Sequence, residues 1–220
     1  MARLEVEATA IALAGDGGIP VPTVLWQEAN VLALGALPGA QLGRLGDASS
    51  ASSASWSAAG EVAARMHALP LPPWTGADVD GVRAFVDGEC RWLVDNEIAP
   101  ADVVTRVRRV GEPGLRSRPP VFSHGDFQAA HVLVDGDTVT GIIDWSDCAQ
   151  GAPEWDLAIL TVGHGEHLDD VLRGYGADVD RDVIRANWAL RRLCAIRWMI
   201  EHEFDATGDI AMLHTTAKDG

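Results

Sequence analysis

Apolar and polar positions organise most clearly between residues 131 and 144, where HVLV and VTGIID form two β-rich runs separated by DGDT. An Asp-Gly turn between such runs is the strongest short-range hairpin signal. Elsewhere the period is helical. Residues 4 to 14 suit a helix that ends at the glycines of GDGG, after which Pro20 and Pro22 hold the chain extended into the strand TVLW. NVLALGAL reads as a second short strand, and the small, polar run PGAQLGRLGDASSASSASWS reads as a loose linker into the helix AAGEVAARMHALP. From 80 to 109, the spacing of Val82, Phe85, Val86, Leu93 and Val94 predicts one helix or two with the charged residues outward. Residues 181 to 204 repeat that pattern with Trp188, Leu193, Ile196 and Met199, which places Trp188 and Trp198 on a periodic helix expected to pack into a core. The chain thus reads as helix and strand pieces, one central hairpin, then mostly helix.

Composition sets bounds on this picture. With 220 residues, 47% of them hydrophobic, the chain can bury the core of one large or two small domains. A formal charge of -15 argues against nucleic acid or an anionic membrane as partner and favours cationic small molecules. Cys90, Cys148 and Cys194 stand far apart, without metal-ligand spacing or a disulfide framework, which fits a reducing cytoplasm. The N-terminus has acids in its first turns and no long apolar core, so it reads as an amphipathic helix and not a signal peptide. No run of about twenty apolar residues predicts a membrane span.

The hairpin has a chemical consequence. Antiparallel pairing brings His131, at the entry of its first strand, and Asp144, at the exit of its second, to within a residue or two of opposite each other, and opposed residues in such a pair stand about 5 Å apart at Cβ. The loop HGDFQAA leads into His131 and delivers Asp126 to the same end. Carboxylates held that close repel, and the remedies are a proton, a basic side chain or a divalent cation. A strand-end aspartate and a loop histidine also serve as ordinary local hydrogen-bonding residues, so spacing alone leaves both readings open. Asp135 and Asp137 belong to the distal turn and are expected to be solvated turn formers.

HGDFQAAH, then VLV, a turn, GIIDW and GAPEWDLA together resemble the catalytic core of the aminoglycoside phosphotransferase and choline kinase superfamily. That resemblance implies an α+β, protein-kinase-like fold with a mostly helical C-terminal lobe around a central hairpin. It implies that Asp126 accepts or orients the proton of a substrate hydroxyl. Asp144 would ligate Mg2+, His131 would hold the second metal position, His124 would shape the catalytic loop, and Asp156 would support that loop from the following helix. Most of the superfamily has asparagine where this chain has His131, and macrolide phosphotransferases place histidine there, so the departure points toward that branch. Ala152, where aspartate is usual, is a second departure.

Upstream, LEVEATAIALAGDGGIPVPTVL is similar to the helix and strand that close the family's N-terminal lobe, with Glu7 at the ion-pairing glutamate. LALGALPGAQL resembles the hinge, where the backbone of Leu34, Gly35 and Ala36 would bind the base of ATP or GTP, with Leu133 and Ile143 packing beneath it. The family's glycine-rich hairpin and lysine strand have no counterpart before Glu7, and the sequence holds a single lysine, Lys218. The expected organisation is therefore a truncated nucleotide-binding remnant over 1–37 and a helical lobe with the acceptor site over 38–220. Acceptor contacts would come from Trp145, Asp147, Glu201 and Asp205, with Glu154, Glu203 and Trp198 nearby.

The function this implies is transfer of a nucleotide's γ-phosphate to a hydroxyl of a small, cationic molecule, such as a macrolide or aminoglycoside antibiotic. A catalytically silent, truncated kinase-like binder is the rival reading, and a metal-dependent hydrolase using His124, Asp126 and His131 is a third. Bare apolar edges on TVLW and VLALGAL predict self-association.

Overall fold

The computed structural model describes residues 3–44 and 46–219. Helix α1 (Arg3–Asp16) leads into the hairpin β1 (Val24–Glu28) and β2 (Val31–Leu34), followed by the short strand β3 (Ala40–Gln41). Helices α2 (Ser53–His67), α3 (Val79–Asp95) and α4 (Ala101–Val110) come next, then β4 (Val121–Ser123), β5 (Val132–Asp135), β6 (Thr138–Ile142) and β7 (Ala149–Gly151). Helices α5 (Pro153–Thr161), α6 (Leu168–Tyr175), α7 (Arg181–Glu201) and α8 (Thr207–Asp219) complete the order. None of the described helices is long and apolar enough to cross a membrane.

Two compact units result, Met1–Gly76 with Pro119–Val179, and Ala77–Arg118 with Asp180–Gly220. In the first, β5 and β6 form the expected hairpin, turning at Gly136 in the left-handed conformation, and β3 adds antiparallel to β5. β4 pairs with β7, which fixes the loop after β4 against the start of α5. α1 lies over a short 3-10 turn at 145–147, and Pro20 accepts a hydrogen bond from the Ile142 amide, so the N-terminal segment is anchored to the open end of the hairpin. α2 packs on α6 at close range because glycines face backbone: a Cβ on Gly60 would stand 2.0 Å from the Val171 carbonyl oxygen, and one on Gly174 would stand 1.8 Å from that of Ser57. In the second unit, Leu93, Val104, Val107, Leu193, Ile196 and Leu213 form the centre of a separate core.

Several expectations need correction. The serine-alanine run is not all linker: α2 begins inside it, because Ser52 caps the helix by accepting from the Ser55 amide and Trp56 is buried against the core. Asp137 is exposed, yet it accepts from the Ser52 and Ser55 hydroxyls and so ties the hairpin turn to that cap. Of the two readings left open for the 80–109 stretch, two helices holds, with the break after Asp95 where Glu97 turns to φ 57° and Pro100 opens the next helix. Val82 and Phe85 lie outside the core, Phe85 at 57% exposure, because the stripe of α3 that reaches the core is narrower than its apolar pattern. Trp198 is also outside, at 54%, and stacks its ring on His202 and Phe204 at the surface.

Candidate active site

The loop 124–128 is held from three sides. Asp156, one turn into α5, is fully buried and accepts from the backbone amides of His124 (2.8 Å) and Gly125 (2.9 Å). Trp155 donates its indole N–H to the Gly125 carbonyl at 3.0 Å, so consecutive residues of α5 grip both sides of this loop. Gly125 sits at φ +84°, and a Cβ there would come within 2.1 Å of the Asp147 carbonyl oxygen, so both the backbone conformation and the space require glycine. Burial alone would raise the Asp156 pKa, but the His67 hydrogen bond and charge, with His124 beside it, hold the carboxyl below its usual range.

His124 is fully buried and fixed as a neutral ring. Its Nε2–H donates to the Ile143 carbonyl at 3.1 Å, and its Nδ1 accepts from the Asp126 amide at 3.3 Å. Desolvation pushes its pKa down, so the ring stays uncharged and acts as a spacer between the loop and the hairpin. Asp126 then projects from the loop with its carboxylate accepting from the Gln128 side chain at 2.7 Å.

At the hairpin's open end, the His131 carbonyl accepts from the Ile143 amide at 3.0 Å, the pairing expected from the register. Asp144 follows in the left-handed region at φ 63°, which an aspartate tolerates better than most residues, and Ser146 donates to its Oδ1 at 2.9 Å. His131 stands 3.8 Å from the Asp126 carboxylate and 3.7 Å from that of Asp144. One donor atom from each of Asp126, His131 and Asp144 lies within 4.8 Å of the others. Two carboxylates and one imidazole at that spacing can close on a single divalent cation, which would also relieve their mutual repulsion.

Other predicted residues fall around this cluster. Glu7, on α1, is half-buried, and its carboxyl is pushed up first by burial and then by the charge of Asp144, with Arg3 acting in the opposite direction. Leu133 and Ile143 are half-buried on the hairpin, and Leu133 lines an open pocket of about 490 Å3 otherwise bounded by residues 39–44 and 47–50. Leu34 and Gly35 are half-buried and Ala36 exposed at the end of β2, and the Gly35 amide is committed to the Thr23 carbonyl at 2.8 Å. Trp145 needs correction as an acceptor contact: it has no exposed surface, donates to the Ile142 carbonyl and packs on His124 and Phe122. Asp147 pairs with Arg3 at 3.1 Å. Glu201 and Asp205 lie in the second unit, the first paired with Arg197 and the second accepting from the Thr207 amide at the start of α8.

Sequence reasoning missed His67, Tyr175, Trp155 and Gln128. His67, at the end of α2, bonds Asp156 at 3.0 Å through Nε2 and the Tyr175 hydroxyl at 2.8 Å through Nδ1. These contacts span 89 and 108 residues, and no local pattern marks them. Trp155 and Gln128 lie inside motifs already singled out, GAPEWDLA and HGDFQAAH, where their polar atoms were the available signal.

A family model described as phosphotransferase enzyme family matches residues 2–193. The chain belongs to the phosphotransferase enzyme family. By family it is a nucleotide-dependent phosphotransferase, with the α+β, protein-kinase-like fold. Among solved structures, the macrolide 2'-phosphotransferase of Brachybacterium faecium is 21% identical, with TM-score 0.68, over 98% of this chain and 79% of that one. An aminoglycoside phosphotransferase of Streptomyces rimosus, in complex with ADP and streptomycin, is 22% identical with TM-score 0.61, over 88% of this chain and 82% of its own. The AMP-bound complex of a spectinomycin phosphotransferase is 17% identical with TM-score 0.68, over 98% and 79%. Nothing among curated protein sequences matches the chain significantly. At these identities the structural likenesses establish the phosphotransferase fold, and this chain's chemistry has to be argued from its own residues.

Proposed function

We propose that this phosphotransferase moves the γ-phosphoryl group of ATP or GTP to a hydroxyl of a small cationic molecule of the macrolide or aminoglycoside kind. The observation that carries this reading is the convergence of Asp126, His131 and Asp144 at one end of the hairpin, on a loop locked by Asp156. Asp126 orients the acceptor hydroxyl and takes up its proton, with Gln128 holding the carboxylate in place. His131 and Asp144 would hold a divalent cation, which would supply charge neutralisation for the nucleotide's phosphates. Leu133 and Ile143 pack against the base, which the remaining backbone groups of Leu34 and Ala36 read, since the Gly35 amide is already spent. The net charge of -15 suits amino-bearing acceptors such as the streptomycin bound by one structural relative. Residues 1–37 contribute the nucleotide-binding remnant and hinge, and 38–220 carry the catalytic loop and the acceptor site, in a reducing cytoplasm. Leu25, Trp26 and Val31 leave an apolar edge on the β1–β2 hairpin through which copies of the chain associate.

A second reading, nucleotide binding without turnover, is favoured by one observation. The charge that acts most on Glu7 is another acid, Asp144, and the sequence offers one lysine, Lys218. Turnover of a macrolide and aminoglycoside panel, with Asp126→Ala as control, separates the two. Phosphorylated product that vanishes in the variant supports transfer, whereas activity that survives the substitution contradicts the role given to Asp126.

A further inference from the structure

The cation site carries information about which cation it takes. The His131 Nδ1 lies 2.9 Å from the Asp126 main-chain carbonyl oxygen, and a carbonyl can only accept. The Nδ1 therefore carries a proton, and in the neutral ring the lone pair sits on Nε2, the atom 3.7 Å from the Asp144 carboxylate. This is the arrangement in which metal-ligating histidines are found, one ring nitrogen donating to a backbone carbonyl while the other faces the metal. The ring has little freedom to turn away. Its main chain is pinned by the Gln128 carbonyl at 2.9 Å and the Ile143 amide at 3.0 Å, and its side chain is only 16% exposed.

The donors left to the cation are thus the hard Asp144 carboxylate and one borderline imidazole nitrogen, with the Asp126 carboxylate kept for the acceptor hydroxyl, where an all-oxygen set would suit magnesium best. Mg2+ binds nitrogen reluctantly, whereas the first-row transition dications accept imidazole more readily than Mg2+, Mn2+ least among them, and still take carboxylate and phosphate oxygens. We propose that His131 tunes this site for a first-row transition-metal dication, such as Mn2+ or Co2+, over Mg2+ when a nucleotide is loaded. The inference rests on the phosphotransferase reading above, because it places the nucleotide's phosphates at the same cation.

The test uses the full chain, ADP, and Mg2+ or Mn2+ as the probe cation, read by calorimetry and by pulsed electron paramagnetic resonance of the Mn2+ complex. Wild type is expected to bind ADP at least tenfold more tightly with Mn2+ than with Mg2+, and the Mn2+ signal is expected to carry modulation from a directly bound nitrogen. His131→Asn should bring the two affinities to within about twofold and remove that modulation. ADP binding with no bound-nitrogen modulation in the wild type, or with equal affinity for the two cations, overturns the role of His131 and leaves the phosphotransferase reading standing. ADP binding with neither cation overturns both. The spectroscopic arm needs only the wild type, so a variant that fails to fold does not rescue the proposal.

Discussion

Replacing Asp156 with asparagine changes one atom of a fully buried side chain and should be costly. The Oδ2 accepts from the His124 amide and from His67, and the Oδ1 accepts from the Gly125 amide. The least damaging carboxamide orientation keeps oxygen on the His124 and His67 side and turns its NH2 group onto the Gly125 N–H, donor against donor. One charge-assisted bond is lost and two are weakened, each worth about 1.5–3 kcal/mol. Relief of the buried charge's desolvation offsets part of this, leaving an expected loss of about 2–4 kcal/mol at pH 7. Urea unfolding followed by tryptophan fluorescence measures it. The pH dependence supplies an independent check. The Asp156 carboxyl lies below its ordinary value of 3.8, so the unfolded chain binds its proton first as pH falls. The stability it contributes is complete above that value and disappears as pH drops through the depressed one. The gap between wild type and Asp156→Asn should hold constant from neutral pH downward and narrow only below 3.8. A gap under about 0.5 kcal/mol at pH 7 would refute the view that this carboxylate carries the loop.

Gly125→Ala should cost about 1–2 kcal/mol for its left-handed φ alone, with more from the clash on the Asp147 carbonyl, and turnover should fall with it, measured by product formation and urea midpoint. Ser52→Ala removes the cap of α2 and its tie to Asp137, an expected loss of about 1–2 kcal/mol by the same unfolding assay. Trp26→Glu, at a residue 50% exposed, should abolish concentration-dependent association seen by sedimentation, and wild type that stays monomeric at all concentrations removes the proposed edge contact.

The hairpin and its polar end were legible because their causes are local. An Asp-Gly turn sets the register, and register alone puts His131, Asp144 and the preceding loop together. The start of α2 was not, because serines that loosen a linker are the same residues that cap a helix, and the burial of Trp56 decides between them. Phe85 and Trp198 show another limit: periodicity identifies the apolar face of a helix but not how much of it a neighbour covers. Trp145 was misjudged for the converse reason, since a residue next in sequence to the exposed Asp144 can point wholly inward. His67 and Tyr175 could not be found at all, because their partners are supplied by the packing of distant helices.

The glycine pair between α2 and α6 has a reach beyond its own contact. His67 ends α2 and Tyr175 ends α6, so the spacing that Gly60 and Gly174 permit also sets where the imidazole meets Asp156. A single methyl at either position would act as a shim, levering the two rods apart and drawing the histidine off an acid that neither glycine touches. Sensitivity of the loop to such remote changes is what a shared chassis, rather than a free-standing active site, entails.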